Sequence, residues 1–152
     1  MEKIPKILFL SRGRATRSQM AEGLSHALAG DRFVPFSAGT ESALVDPLAS
    51  EVMFEAGIDI SKRKPRELAD VIKNTFQYVV ALSDATRTRY PLFPFTPRLL
   101  KWSVPDPEVV ATEPAEKREL FRQVREQMRR EVEELMAVIP ESAFAGTRPK
   151  AA

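Results

Sequence analysis

"KILFLSRGRATRSQMAEGL", Lys6 to Leu24, decides how the rest of the chain is read. Its opening run, Lys6 to Leu10, is short, apolar and ended by Ser11 and Gly13, which suits a buried parallel strand better than a half-exposed one. From Ser18 onward Met20, Leu24, Ala27 and Leu28 recur at helical spacing, with Ser18 as a candidate cap and Gly30 as the stop. Between strand and helix lies "SRGRATR", Ser11 to Arg17, which holds three arginines, a glycine and two hydroxyls.

A glycine-containing loop that feeds a helix can aim successive backbone N–H groups at one point, where the helix N-terminus adds partial positive charge. Arg17 brings a planar fork that matches two oxygens of a tetrahedral anion, a geometry that lysine lacks. Spacing alone leaves two readings open, an oxyanion loop and an ordinary strand-to-helix turn. It is not a Walker loop, because the Gly-Lys-Ser/Thr ending is absent.

Outward from this stretch the pattern alternates. "RFVPFSAG" (Arg32 to Gly39) reads as a second strand that Pro35 restricts to an edge or a bulge. "DPLASEVMFEAG" (Asp46 to Gly57) carries a cap, a proline in the first turn, apolar Leu48, Val52 and Phe54, and a terminal glycine. "KPRELAD" (Lys64 to Asp70) reads as a short helix and "FQYVVALS" (Phe76 to Ser83) as a third strand. A brief helix over Asp84 to Arg89 and a fourth strand, "RLLKWSV" (Arg98 to Val104), precede the turn "PDPE". Leu120, Val124, Met128, Val132 and Leu135 then mark one long amphipathic helix from Pro114 to Ile139. This order predicts an α/β three-layer sandwich, a four-stranded parallel sheet flanked by helices, with ligands bound beyond the carboxyl ends of its strands.

The totals fit one domain over residues 1–140 with a frayed tail over 141–152, since 152 residues at 43% hydrophobic can build a real core. No apolar run approaches the roughly 20 residues of a membrane span, and "MEKIPKILFL" lacks the features of a signal peptide, so a cytoplasmic protein with no membrane partner is expected. The formal charge is only +2, with basic clusters at Arg12, Arg14 and Arg17, at Lys62 to Lys64, and at Arg87 and Arg89. Small anionic ligands fit that pattern better than nucleic acid does. The chain has no cysteine, which excludes disulfides, thiolate metal sites and thiol nucleophiles. No metal or cofactor is implied, and nothing fixes an oligomeric state.

"ILFLSRGRATRSQMAEGL", "FSAGT", "FEAGIDISKRKPREL", "YVVALSDA" and "KWSVPDPE" together resemble the low-molecular-weight protein tyrosine phosphatase and thioredoxin-type arsenate reductase superfamily. The resemblance runs from Lys6 to about Val138 in both order and spacing, and "SQMAEG", "WSVPDP" and the long last helix look closer to the arsenate reductase branch. In that superfamily the loop reads Cys, five residues, Arg, Ser. The thiolate attacks phosphorus or arsenic, the loop amides and the arginine cradle the oxygens, and an aspartate in the "DP" segment protonates the leaving group.

Carried over by position, the resemblance implies Ser11 at the nucleophile's place and Arg17 as the anion clamp. It implies an anion cradle over Ser11, Arg12, Gly13, Arg14, Ala15, Thr16, Arg17 and Ser18, with Ser18 orienting position 11 and Asp106 as the acid. Asp106 also suits a plain Asp-Pro turn. The two further cysteines of the reductase branch correspond to Leu82 or Ser83 and to Arg89 or Tyr90, and Arg14 stands where an asparagine commonly braces the loop. A thiol near pKa 8.5 can be ionised by an electropositive loop, whereas a serine hydroxyl stays protonated without a positioned base. His26 lies mid-helix, two turns beyond the loop, and reads as a partly exposed helix residue. The expected function is therefore a pseudoenzyme that binds phosphate, sulfate or arsenate without thiol catalysis. Two alternatives stand beside it: an active phosphatase using Ser11 or water with Asp106 as general acid, and a module that holds a phosphorylated protein. Trp102 reads as core or groove wall, Tyr90 as pocket rim, and the arginines of the last helix and the Lys62 to Arg66 cluster as solvated surface.

Overall fold

The computed structural model describes residues 4–11, 16–39, 44–63, 66, 68–82 and 98–139. The elements in chain order are β1 (Lys6–Ser11), α1 (Thr16–Ala29), β2 (Val34–Gly39), α2 (Pro47–Glu55), α3 (Leu68–Val71), β3 (Tyr78–Leu82), β4 (Arg98–Trp102), α4 (Pro107–Val110) and α5 (Pro114–Val138). The four strands form one parallel sheet in the order β2-β1-β3-β4. This is the α/β architecture that the alternating sequence pattern predicts.

β1 is buried on both faces, so its apolar residues serve two cores by alternation. Ile7 and Phe9 face a large core with α1, α2 and α5, while Leu8 and Leu10 face a smaller one with Val71 and Phe76. Pro35 lies in β2, which is an edge strand, where a missing N–H costs no ladder bond. The chain leaves β1 toward β2 on one side, and β3 takes its other side. The carboxyl end of β1 is therefore the topological switch point, where sheets of this kind open a crevice for ligands.

Several sequence-based boundaries move. α1 begins at Thr16, so Ser18 lies inside the first turn and does not cap the helix; its hydroxyl points into the core side of the sheet instead. In α2 the buried positions are Ala49, Val52 and Met53, and Phe54 is 67% exposed because it falls off that stripe. In α5 Phe121, not Leu120, begins the buried row that continues through Val124, Met128, Val132 and Leu135. β2, β3 and β4 are shorter than the apolar runs that mark them, and α3 occupies Leu68–Val71 within the expected short helix. The "PDPE" turn contains a further helix, α4, that Asp106 caps. The brief helix over Asp84 to Arg89 and the rim position of Tyr90 lie outside the described residues.

Two local features fix how α1 sits. Gly23 lets the helix approach the chain after α2 closely, since a Cβ there would stand 2.9 Å from Ile60 Cγ2. Gly57 takes a left-handed φ of 79° and ends α2.

Candidate functional site

Ser11 is the last residue of β1 and is fully buried. Its Oγ donates to Ser18 Oγ at 2.9 Å, and Ser18 Oγ donates to the Ala38 carbonyl at 3.2 Å. A carbonyl oxygen only accepts, so the direction of this chain is set by its far end. Position 11 is thereby held between the end of β1, the first turn of α1 and the end of β2.

Arg17, the second residue of α1, is only 4% exposed. Its Nη1 donates to the Val104 carbonyl at 2.8 Å, and its Nη2 lies 3.6 Å from Asp106 Oδ2. The guanidinium is thus anchored from the chain beyond β4, with its charge partly balanced by a carboxylate that is itself one-fifth exposed. Asp106 has a second task, accepting the Glu108 N–H at 3.0 Å as the cap of α4. Turn residue and site neighbour, the two readings of Asp106, describe the same side chain.

Thr16 joins two more segments to the same helix end. Its hydroxyl donates to Glu108 Oε1 at 3.1 Å and accepts the Asp46 N–H at 3.3 Å. Asp46 caps α2 through Leu48 N–H and pairs with Lys117 Nζ of α5 at 2.7 Å. The first two residues of α1 therefore gather the start of α2, the end of β4, α4 and α5 around the carboxyl end of β1.

The structure brings Ser11, Thr16, Arg17, Ser18 and Asp106 together. Arg12, Gly13, Arg14 and Ala15 lie outside the described residues, as do Ser83, Arg89 and Tyr90, while Leu82, the other position that corresponds to a family thiol, is the buried last residue of β3. His26 is exposed on the second half of α1. Its ionisation is shifted below the ordinary value, first by partial burial of the ring and then by the charge of Arg63. Among the described residues no cluster of three or more histidine, aspartate or glutamate side chains is arranged to hold a metal ion.

Three participants escaped the sequence reading. Glu108 is one; "DPE" is a cap, a first-turn proline and a first-turn acid, which together signal a helix start rather than a plain turn. Glu22 is another, a carboxylate with 2% exposure one turn beyond Ser18, bound by Arg63 and by Arg66 at 3.2 Å. The Lys62 to Arg66 cluster is consequently not a purely solvated loop: Arg63 and Arg66 neutralise a buried acid, as a buried charge requires. The third, the Val104 carbonyl, has no side-chain signal at all.

Comparison with known proteins joins these observations. The family model described as "Low molecular weight phosphotyrosine protein phosphatase" matches residues 6–144. The chain is 34% identical over 122 residues to an arsenate reductase of Bacillus subtilis, covering 80% of this chain and 88% of that protein. It is 31% identical over 134 residues to a glutaredoxin arsenate reductase of Synechocystis sp., covering 88% and 98%. Among solved structures, an arsenate reductase in the phosphate binding state shares the fold with a TM-score of 0.76 and 30% identity, over 90% of this chain and 100% of that one. With the shared fold and a family match over residues 6–144, this chain belongs to the low molecular weight phosphotyrosine protein phosphatase family.

Proposed function

We propose that this protein binds a phosphate- or arsenate-like oxyanion at the segment Ser11 to Arg17 and does not turn it over by thiol chemistry. The observation that carries the reading is the buried Arg17 guanidinium at the start of α1, beside the carboxyl end of β1 where Ser11 stands. A helix N-terminus and a guanidinium at the carboxyl end of β1 favour a tetrahedral anion over a neutral ligand. The relative whose structure was solved in the phosphate binding state supports the same ligand class.

Catalysis in this family's manner needs a nucleophile that is ionised near neutral pH. This chain has no cysteine, and the hydroxyl at position 11 donates to another hydroxyl that passes its hydrogen to a carbonyl, which is not a base that could ionise it. The exchange also removes a negative charge. A neutral Ser11 leaves the crevice one charge less repulsive to a dianion than a thiolate would. Arg17 and the amides of residues 12–17 are assigned to the equatorial oxygens, Ser18 to orienting Ser11, and Asp106 to balancing Arg17.

Calorimetric titration tests this. Phosphate and arsenate are expected to bind the wild type and to lose at least about tenfold in affinity in Arg17→Ala, the worth of one charge-assisted hydrogen bond. Phosphate release from p-nitrophenyl phosphate is expected to stay at the blank. Absence of binding, or binding indifferent to Arg17→Ala, would refute the oxyanion assignment. Turnover abolished by Ser11→Ala would instead establish an active serine-dependent phosphatase.

A further inference from the structure

We infer that the Thr16 side chain is a positioning residue for the oxyanion site, a latch that holds residues 104–108 at the distance Arg17 needs. This rests on the oxyanion reading above and adds a role for a side chain whose backbone N–H alone was assigned there.

Thr16 is 3% exposed and its hydroxyl has one hydrogen, which goes to Glu108 Oε1. The same oxygen accepts the Asp46 N–H. With its donor committed to Glu108, the hydroxyl is a strut between α4 and the start of α2 and not a ligand to the anion.

Val104 at the start of this stretch sits in the main core, whereas the α4 turn that carries Glu108 is largely exposed. α4 has four residues, and its Val109 and Val110 are 73% and 55% exposed. Pro107 and Ala111 at its ends are buried, and two consecutive residues of α1 tie this stretch on the site side. Thr16 holds Glu108, and Arg17 holds Val104 and faces Asp106. The Arg17 to Asp106 separation of 3.6 Å is long for a charge-assisted hydrogen bond, so the carboxylate balances Arg17 without capturing it. Losing the Thr16 bond loosens α4 at Glu108, and opposite charges then draw Asp106 closer to the guanidinium, where it competes with the anion.

Thr16→Val keeps the shape and removes the hydroxyl; Thr16→Ser keeps the hydroxyl. Phosphate affinity is expected to fall by about five- to tenfold in Thr16→Val, the effect of one lost hydrogen bond of roughly 1 kcal/mol, and to stay within about twofold of wild type in Thr16→Ser. Amide exchange at Val109 and Val110, whose N–H groups bond the Asp106 carbonyl at 3.0 and 3.2 Å, is expected to quicken in Thr16→Val and not in Thr16→Ser. Should Thr16→Val fail to fold, Glu108→Ala cuts the same bond from the other end and is expected to quicken the same amides. Wild-type affinity in Thr16→Val, a serine variant as weak as the valine one, or unchanged exchange in both cut variants would overturn the latch alone. A wild type that binds no phosphate would overturn the oxyanion reading and the latch with it.

Discussion

Arg17 is a buried cation, and a buried cation must be matched by acceptors. The Val104 carbonyl fixes the direction of its fork, and Asp106 balances the charge from one side. Arg17→Lys should therefore not rescue the site, because an ammonium cannot satisfy Val104 and present two parallel donors to an anion. We expect phosphate affinity in Arg17→Lys at least about tenfold below wild type by calorimetry, close to that of Arg17→Ala. The residue-level chemistry was legible where side-chain type dictates it. Spacing marked Arg17 as a fork, and the family pattern implied Ser18 beside position 11. The bond between Thr16 and Glu108 was not legible, because residues 92 positions apart leave no local trace of their contact.

α1 carries the site's precision at its first turn and its anchorage one turn later. Glu22 is buried between α1 and the chain after α2, and Arg66 has three attachments there. Its guanidinium meets Glu22 and stacks 5.8 Å from the Phe36 ring centroid, while its carbonyl accepts the Gly39 N–H at 3.4 Å. That strap fastens the end of edge strand β2, whose Gly39 is in register with Ser11. Replacing Arg63 and Arg66 together by alanine strands the Glu22 carboxylate, and we expect a loss of about 3 kcal/mol or more in urea denaturation. Gly23→Ala should cost roughly 1–3 kcal/mol by the same measurement, as the added methyl meets a stiff β-branched side chain. Elements with strong periodicity were readable from sequence, "YVVAL" as a buried strand and Val124, Met128 and Val132 as one helix face. Exposed Phe54 and the four-residue α4 were not, since one apolar residue fits two helical faces and a single helical turn resembles a turn.

Across the whole molecule, α5 is bound to α2 by charge as well as by its apolar face. Arg122 and Arg125 both engage Glu55, and Arg118 pairs with Glu51. The Arg122 hydrogen bonds, with those of Arg125, hold Glu55 well below its ordinary 4.5, at about 2. Asp59 is lowered by Ser61, and Glu126 by Arg125. Groups that release protons more readily when folded stabilise the fold above their unfolded values and lose that contribution as pH falls toward the folded ones. Glu131, raised by burial and by Glu134, opposes them. Stability should therefore decline on acidification from about pH 4.5 toward pH 2, and the decline should be shallower in Glu55→Gln and in high salt, as read by denaturation midpoints.

The sheet order puts the switch point at Ser11, where a hydroxyl stands in the place of the family's thiol, and we propose that this exchange is what removes catalysis. Ser11→Cys tests this most directly, with p-nitrophenyl phosphate as substrate. Phosphate release is expected to appear in Ser11→Cys, to be absent from the wild type, and to disappear again in the Ser11→Cys, Arg17→Ala double variant. A folded Ser11→Cys protein that releases no phosphate would contradict it.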